Sequence, residues 1–265
     1  MKKIIIIILL IVLAWGIVII PKVISIYSYY QPSKQYKTYP VKNSITNDTI
    51  RILFIGDSWA AYHHQYDSLL SHMITIQSGF SCNILSKGFV GAKSKEIYER
   101  MFNDYKDNLI EHPNYCIISA GINDAVAKLG VNYYIINYSF ILRFLLDNNI
   151  IPVVLEMPTV DYKAVYNREK LTAKIRHHIS STLTGADFYS FVNYKQSLLN
   201  TIIHNNWEDS IIYIPSNEWI SDNIISNRHY YREDGIHLNE RGYLKLDSCL
   251  ANKISTDLSL QKSLP

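Results

Sequence analysis

The chain is poor in cysteine, and its three cysteines, Cys82, Cys116 and Cys249, show no CxxC spacing. An odd number of thiols cannot all pair within one chain, and the ligand spacing of a zinc site is missing. Cys82 and Cys116 fall in short apolar runs that we interpret as strands, so we expect buried free thiols. These observations exclude a disulfide-stapled scaffold.

Runs of one charge are also missing. The sequence has 26 Lys and Arg against 23 Asp and Glu, which gives a formal net charge of +3. No basic run is long enough to follow a phosphate backbone, so nucleic acid is not expected as a partner. The 21 tyrosines are scattered along the chain, and we attribute their number to general composition rather than to a sugar-stacking surface.

One long hydrophobic run stands at the N-terminus. Lys2 and Lys3 precede an unbroken apolar stretch of seventeen residues from Ile4 to Ile20, which Pro21 and Lys22 close. As a helix this stretch is about 25 Å long, the short end of what a bilayer core requires. A cleaved signal peptide begins in the same way, but no small-x-small site follows the run. We therefore predict an uncleaved signal anchor.

The predicted organisation has three parts: a transmembrane helix over residues 1–26, a juxtamembrane linker over 27–48, and one globular domain over 49–265. Lysines lie on both sides of the predicted span, so their count does not fix its orientation. Long domains behind such a segment are translocated largely regardless of charge. We expect a single-pass membrane protein with its domain outside the cytoplasm, in a periplasm or at a cell surface. No protein partner is inferred.

Short apolar runs alternate with helical periodicity in the domain. Five runs are typical of buried strands: Ile50–Ile55, Ser81–Leu85, Tyr115–Ser119, Ile150–Leu155 and Ser210–Ile214. Helical spacing predicts helices at about 65–76, 94–109, 131–148, 166–182, 187–204 and 239–254. This alternation predicts an α/β fold with a central parallel sheet of about five strands, covered by helices on both faces.

Polar segments containing glycine follow the predicted strands. In parallel sheets, ligands bind beyond the carboxyl ends of the strands. Four segments are expected at this edge: Gly56–Trp59 (GDSW), Gly88–Gly91 (GFVG), Gly121–Asp124 (GIND) and Asp234–Asn239 (DGIHLN). The sequence thus predicts one site built from four distant segments.

The four segments resemble the SGNH hydrolase superfamily of GDSL-like lipases and esterases, and the resemblance covers nearly all of residues 50–250. The Ser, Gly, Asn and His of the family name match Ser58, Gly91, Asn123 and His237. Each block alone is weak evidence, because Ser58 could cap a helix and the glycines could serve turns. Four blocks in the right order are strong evidence. The resemblance implies a flavodoxin-like three-layer α/β/α sandwich, in agreement with the strand and helix pattern.

The resemblance also implies the roles of the site residues. Ser58 would be the nucleophile, His237 its general base, and Asp234 the carboxylate that orients the imidazole. The oxyanion hole would consist of the backbone N–H groups of Ser58 and Gly91 and the side-chain amide of Asn123. This chemistry requires no metal or other cofactor, and none is expected.

The other polar and aromatic residues give weaker evidence for a functional role. The adjacent pairs His63–His64 and His177–His178 cannot share a helical face as two metal ligands would, so we expect surface residues. Trp59 could either line the acyl pocket or fill the core. The sequence therefore leaves the role of Trp59 open.

The function predicted on this basis is a membrane-anchored serine esterase that hydrolyses carboxylic esters through an acyl-enzyme. Its expected substrate is a small ester or an acylated carbohydrate, such as one bearing O-acetyl groups. Two alternatives stay open. The same residues could pass the acyl group to a sugar hydroxyl, and the fold could serve a non-catalytic binding protein.

Overall fold

The structure is a computed structural model, and it describes residues 17, 20–21, 24–25, 27–40, 49–107, 111–187, 191–221 and 223–263. Within these residues, no helix has both the length and the apolar character that crossing a membrane requires. Most of the predicted anchor over residues 1–26 lies outside the described residues, so that anchor stays a prediction.

Five parallel strands form one sheet: β1 (Thr49–Gly56), β2 (Ser81–Gly88), β3 (Tyr115–Ser119), β4 (Ile151–Leu155) and β5 (Ile212–Ile214). Their order across the sheet is β2-β1-β3-β4-β5. The central strands are almost entirely apolar and buried, as expected for a parallel sheet with both faces covered. The predicted α/β class and the five-stranded parallel sheet are confirmed.

Ten α-helices are described after β1: α1 (Ser58–His63), α2 (Asp67–Ser78), α3 (Ser94–Lys106), α4 (Ile122–Val126), α5 (Val131–Asp147), α6 (Tyr162–Arg168), α7 (Leu171–Thr184), α8 (Phe191–His204), α9 (Ile224–Asn227) and α10 (Glu240–Ser263). Helices α2 and α10 pack together, while α5 packs against both α3 and α8. The connections from β2 to β5 each carry helices, as parallel strands require.

Two predicted helices differ in their bounds. The helix predicted at 166–182 is two helices, because Glu169 and Lys170 adopt extended backbone angles with ψ of 148° and 151°. The helix predicted from residue 187 is described from Phe191. The other predicted strands and helices lie within a few residues of the observed ones, apart from the last helix, which continues to Ser263.

The strand order changes direction at β1 and β3. The chain passes from β1 to β2 on one side and then to β3 on the other, which makes the carboxyl ends of β1 and β3 a topological switch point. Gly56 at the end of β1 is in register with both Gly88 and Ser119. The segments that follow these three strands therefore begin side by side.

All three thiols are free. Cys116 is buried in β3, as predicted, and burial raises its pKa. Cys82 is only half-buried, which corrects the expectation of a fully buried thiol. The reason is that β2 is an edge strand, and alternate residues of its first half are exposed.

Candidate active site

The turn that leads into Ser58 is built by two close backbone approaches. A Cβ atom on Gly88 would lie 1.9 Å from the backbone nitrogen of Ala61, and one on Gly56 would lie 2.2 Å from Ser119 Oγ. Neither contact is tolerable for a side-chain carbon. Glycine at these positions lets α1 begin directly at the end of β1, against β2 and β3. The first residue of α1 is Ser58.

Asp57 caps α1. Its side chain accepts a hydrogen bond from the backbone N–H of Trp59 at 3.0 Å, and the hydroxyl of Ser119 approaches it at 3.3 Å. Asp57 is almost completely buried, and burial raises its pKa to about 7. The aspartate of the GDS segment therefore acts on the structure of the turn and fixes where α1 begins.

Ser58, His237 and Asp234 lie in one hydrogen-bonded line. The Ser58 hydroxyl is 2.9 Å from His237 Nε2, and His237 Nδ1 is 2.7 Å from Asp234 Oδ2. Ser58 is buried, while the His237 side chain is 22% exposed. With the proton on Nδ1, the imidazole accepts from serine and donates to the carboxylate, the arrangement that general-base activation requires.

Asp234 is held as a carboxylate by its own loop. Burial tends to raise its pKa, but the backbone N–H groups of His237 and Ile236, both 2.9 Å from Oδ1, and the His237 ring lower it overall. Gly235 permits the turn with φ of +73°. The spacing of three residues between Asp234 and His237 thus closes one compact loop that presents the imidazole to Ser58.

Gly91 and Asn123 line one cleft of about 210 Å³. The side-chain amide of Asn123 donates to the carbonyl of Ala92 at 3.0 Å, which joins the loop after β2 to the start of α4. Gly91 has φ of +76°, a left-handed conformation that glycine adopts without strain. The two residues predicted for the oxyanion hole are therefore neighbours in space.

A buried pair beside Asn123 fixes this junction. Asp124 accepts hydrogen bonds from the backbone N–H of Ser94, at 3.0 Å to Oδ2, and from the Ser94 hydroxyl at 2.5 Å. Both residues are fully buried, and burial raises the pKa of Asp124 to about 6. Asp124 thus ties α4 to the N-terminus of α3. No role of its own was predicted for Asp124 from the sequence.

Trp59 belongs to the core. It is 2% exposed and stands edge-on to Trp219 with ring centroids 5.9 Å apart. Its Nε1–H donates to the carbonyl of Ile236 at 2.9 Å. Of the two roles that the sequence left open for Trp59, the structure shows the core role, and the indole also links α1 to the loop that carries His237.

The predictions for two histidines are wrong. His63 is completely buried, with Nε2 2.8 Å from Asp247 and Nδ1 2.8 Å from Ser86, because the last turn of α1 points into the space between β2 and α10. His177 is 8% exposed, because the inner face of α7 packs on the domain. Their neighbours His64 and His178 are exposed, as predicted.

The similarities to known proteins come from the comparison with solved structures. Protein-family models give no match to the chain, and curated protein sequences give none either. A GDSL-like lipase from Bacteroides thetaiotaomicron matches with a TM-score of 0.54 and 17% identity, over 78% of this chain and 88% of that one. The chain has the SGNH hydrolase fold.

Two carbohydrate-active esterases share this SGNH hydrolase fold. A family 3 carbohydrate esterase from Clostridium thermocellum matches with a TM-score of 0.57 and 14% identity, over 80% of this chain and 98% of that one. The acetyl xylan esterase AlAXEase matches with a TM-score of 0.52 and 18% identity, over 78% and 99% of the two chains. Each match takes in nearly all of the neighbour's chain and leaves about a fifth of this chain uncovered.

Proposed function

We propose that this protein is a serine esterase that hydrolyses carboxylic esters through an acyl-enzyme. The observation that carries the proposal is the line of hydrogen bonds from Ser58 Oγ through His237 to Asp234, at 2.9 and 2.7 Å. Serine is a weak nucleophile on its own, and these contacts are what activates it.

In the proposed reaction, Ser58 Oγ attacks the ester carbonyl carbon while His237 Nε2 takes the hydroxyl proton. The imidazolium is stabilised by Asp234 and returns that proton to the oxygen of the leaving alcohol as the C–O bond breaks. A water molecule then loses a proton to His237, attacks the acyl carbon and releases the acid. Ser58 recovers its proton from His237 in the last step.

The oxyanion of the tetrahedral intermediate would be bound by the backbone N–H groups of Ser58 and Gly91 and by the amide of Asn123. The Asn123 side chain has two N–H donors, and one is used on the Ala92 carbonyl. The contact with Ala92 fixes the amide in place before substrate binds. Donors that are fixed in advance stabilise developing charge without further reorganisation.

Esters of carbohydrates are the proposed substrate class. Two neighbours with this fold are described as an acetyl xylan esterase and a carbohydrate esterase. An N-terminal anchor over residues 1–26, with the domain outside the cytoplasm, would suit acyl groups on surface glycans. Hydrolysis of simple esters tests the proposed ester chemistry independently of the substrate class and of the anchor.

The test is hydrolysis of p-nitrophenyl esters from acetate to longer acyl chains by the full chain. We expect activity that Ser58→Ala and His237→Ala both reduce by at least about three orders of magnitude. The chain-length profile would show the size of the acyl pocket. A folded parent without activity on any of these esters would refute ester hydrolysis and leave acyl transfer to a sugar or a binding role.

A further inference from the structure

The N-terminal segment, residues 27–37, lies against the domain. The backbone N–H of Ser33 donates to Asn137 Oδ1 at 3.0 Å, and that of Lys37 donates to the Tyr98 hydroxyl at 2.6 Å. Tyr36 donates to Asp147 at 2.6 Å. These contacts reach α3 and α5, so the segment follows one face of the domain over a considerable length.

This segment forms one wall of the cleft that contains Gly91 and Asn123. The cleft's other lining residues include two consecutive tyrosines of the segment and two cations of the domain: Tyr29, Tyr30, Lys93 and Arg176. Tyr29 is 40% exposed, and Lys93 Nζ stands 5.5 Å from the centre of its ring. Aromatic rings at the edge of a polar cleft offer flat faces to a sugar ring, which carries C–H groups on its own faces.

The cleft has more cationic than anionic side chains among its lining residues. His177, which is buried in its wall, has a lowered pKa because of burial first and then because of the charges of Lys128 and Arg176. The carboxyl of Glu169 lies 3.0 Å from His177 Nδ1, and burial raises its pKa. Among the described residues that line the cleft, two cationic side chains, Lys93 and Arg176, therefore stand against one carboxylate, that of Glu169, which already lies against His177.

We propose that this cleft is the subsite for the sugar unit of the ester, and that it prefers a negatively charged sugar. Tyr29 and Tyr30 provide the stacking faces, and Lys93 and Arg176 bind the carboxylate or phosphate. The inference rests on the proposed esterase function and adds a substrate class to it. With this subsite, the N-terminal segment is part of the active site and does more than connect the predicted anchor to the domain.

The first test compares kcat/KM of the full chain on an O-acetylated uronate oligosaccharide, an O-acetylated sugar phosphate and a neutral O-acetylated oligosaccharide. We expect preference for both anionic esters. Arg176→Gln should reduce the ratio of anionic to neutral kcat/KM about tenfold, because a charged hydrogen bond is lost. Arg241→Gln removes the same charge from an exposed position on α10 and should leave the ratio unchanged.

Tyrosine variants test the segment itself. Tyr30→Ala and Tyr29→Ala should each raise KM for the saccharide esters several-fold, since each removes a stacking face. Tyr27→Ala is the matched control, because Tyr27 is 64% exposed in the same segment and lines a different cleft. Equal effects of all three substitutions would overturn the assignment of the two tyrosines to the subsite.

Binding distinguishes failure of this inference from failure of the esterase proposal. Isothermal titration of the Ser58→Ala protein with the uronate and neutral oligosaccharides needs no turnover. Tighter binding of the uronate, weakened by Arg176→Gln, would support the subsite even if the parent hydrolyses no ester. Active hydrolysis of p-nitrophenyl acetate together with equal affinity for charged and neutral saccharides would overturn the subsite and leave the esterase intact.

Discussion

The indole Nε1–H of Trp59 donates to the carbonyl of Ile236 at 2.9 Å, and this bond joins the residue after Ser58 to the residue before His237. The carbonyl of Trp59 in turn accepts from the Tyr243 hydroxyl at 3.0 Å. Trp59 therefore sets the distance between the helix that carries Ser58 and the loop that carries His237. A small change in that distance would weaken catalysis, because proton transfer requires hydrogen-bond contact.

Trp59→Phe should lower kcat about tenfold or more with a smaller change in KM, since it removes the link while leaving the substrate contacts in place. Trp219→Phe is the matched control. Trp219 is equally buried, touches Trp59, and its Nε1 has no hydrogen-bond partner among the described residues. Steady-state kinetics on p-nitrophenyl acetate would check this, and equal loss in both variants would show that the effect is one of packing alone.

Asn123→Ala should slow turnover by about two to three orders of magnitude, because one fixed donor to the oxyanion is lost. KM should change little. Asn252→Ala, at an exposed position on α10, is the control and should behave like the parent. A kcat within about threefold of the parent's would exclude Asn123 from the proposed oxyanion hole.

Gly88→Ala should be strongly destabilising, by about 3 kcal/mol or more, because its Cβ would collide with the backbone of α1 at Ala61. Gly79→Ala offers a matched control. Gly79 has φ of +76° and open space around it, so the cost is backbone strain of about 1 kcal/mol. Urea unfolding of both variants measures the difference, and similar midpoints would contradict the close approach of α1 to β2.

The stability of the protein should fall at alkaline pH because of His63. Burial lowers its pKa, but Asp247 and Asp67 overcome this effect and raise it from 6.5 to about 9. Since the folded state holds the proton more tightly, this contribution is complete below about pH 6.5 and is lost as the pH rises through 9. The difference corresponds to about 3 kcal/mol.

Urea unfolding of the parent, His63→Asn and His64→Asn between pH 6 and 10 would test this dependence. His64 is the adjacent exposed residue and contacts only Asp67 among the described carboxylates. We expect the parent and His64→Asn to lose stability over this range, and His63→Asn to be less stable at pH 6 and flatter with pH. Parallel curves for all three proteins would rule out a charged His63.

Local patterns in the sequence were enough to predict the sheet and to mark the polar segments that follow its strands. Short apolar strands, and the polar segments after them, are properties of neighbouring residues, so β3 was located at Tyr115–Ser119, as observed. The burial of His63 could not be predicted in this way, because its partner Asp247 is 184 residues away.

The contribution of the N-terminal segment to the cleft could not be predicted from the sequence either. Tyr29 and Tyr30 lie about sixty residues before Gly91, and nothing in the pattern of residues 27–48 indicates that part of this segment packs beside it. Trp59 was ambiguous for the same reason, since its partner Ile236 belongs to the last block. Contacts between distant segments decide these roles, and such contacts exist only in the folded chain.

The most direct test of the central claim is labelling of the full chain with a fluorophosphonate, followed by mass spectrometry of its peptides. The structure pairs the Ser58 hydroxyl with His237 at 2.9 Å, so we predict one adduct, on Ser58, that is lost in His237→Ala. No adduct, an adduct on another serine, or equal labelling in His237→Ala would contradict an activated Ser58 and the esterase mechanism built on it.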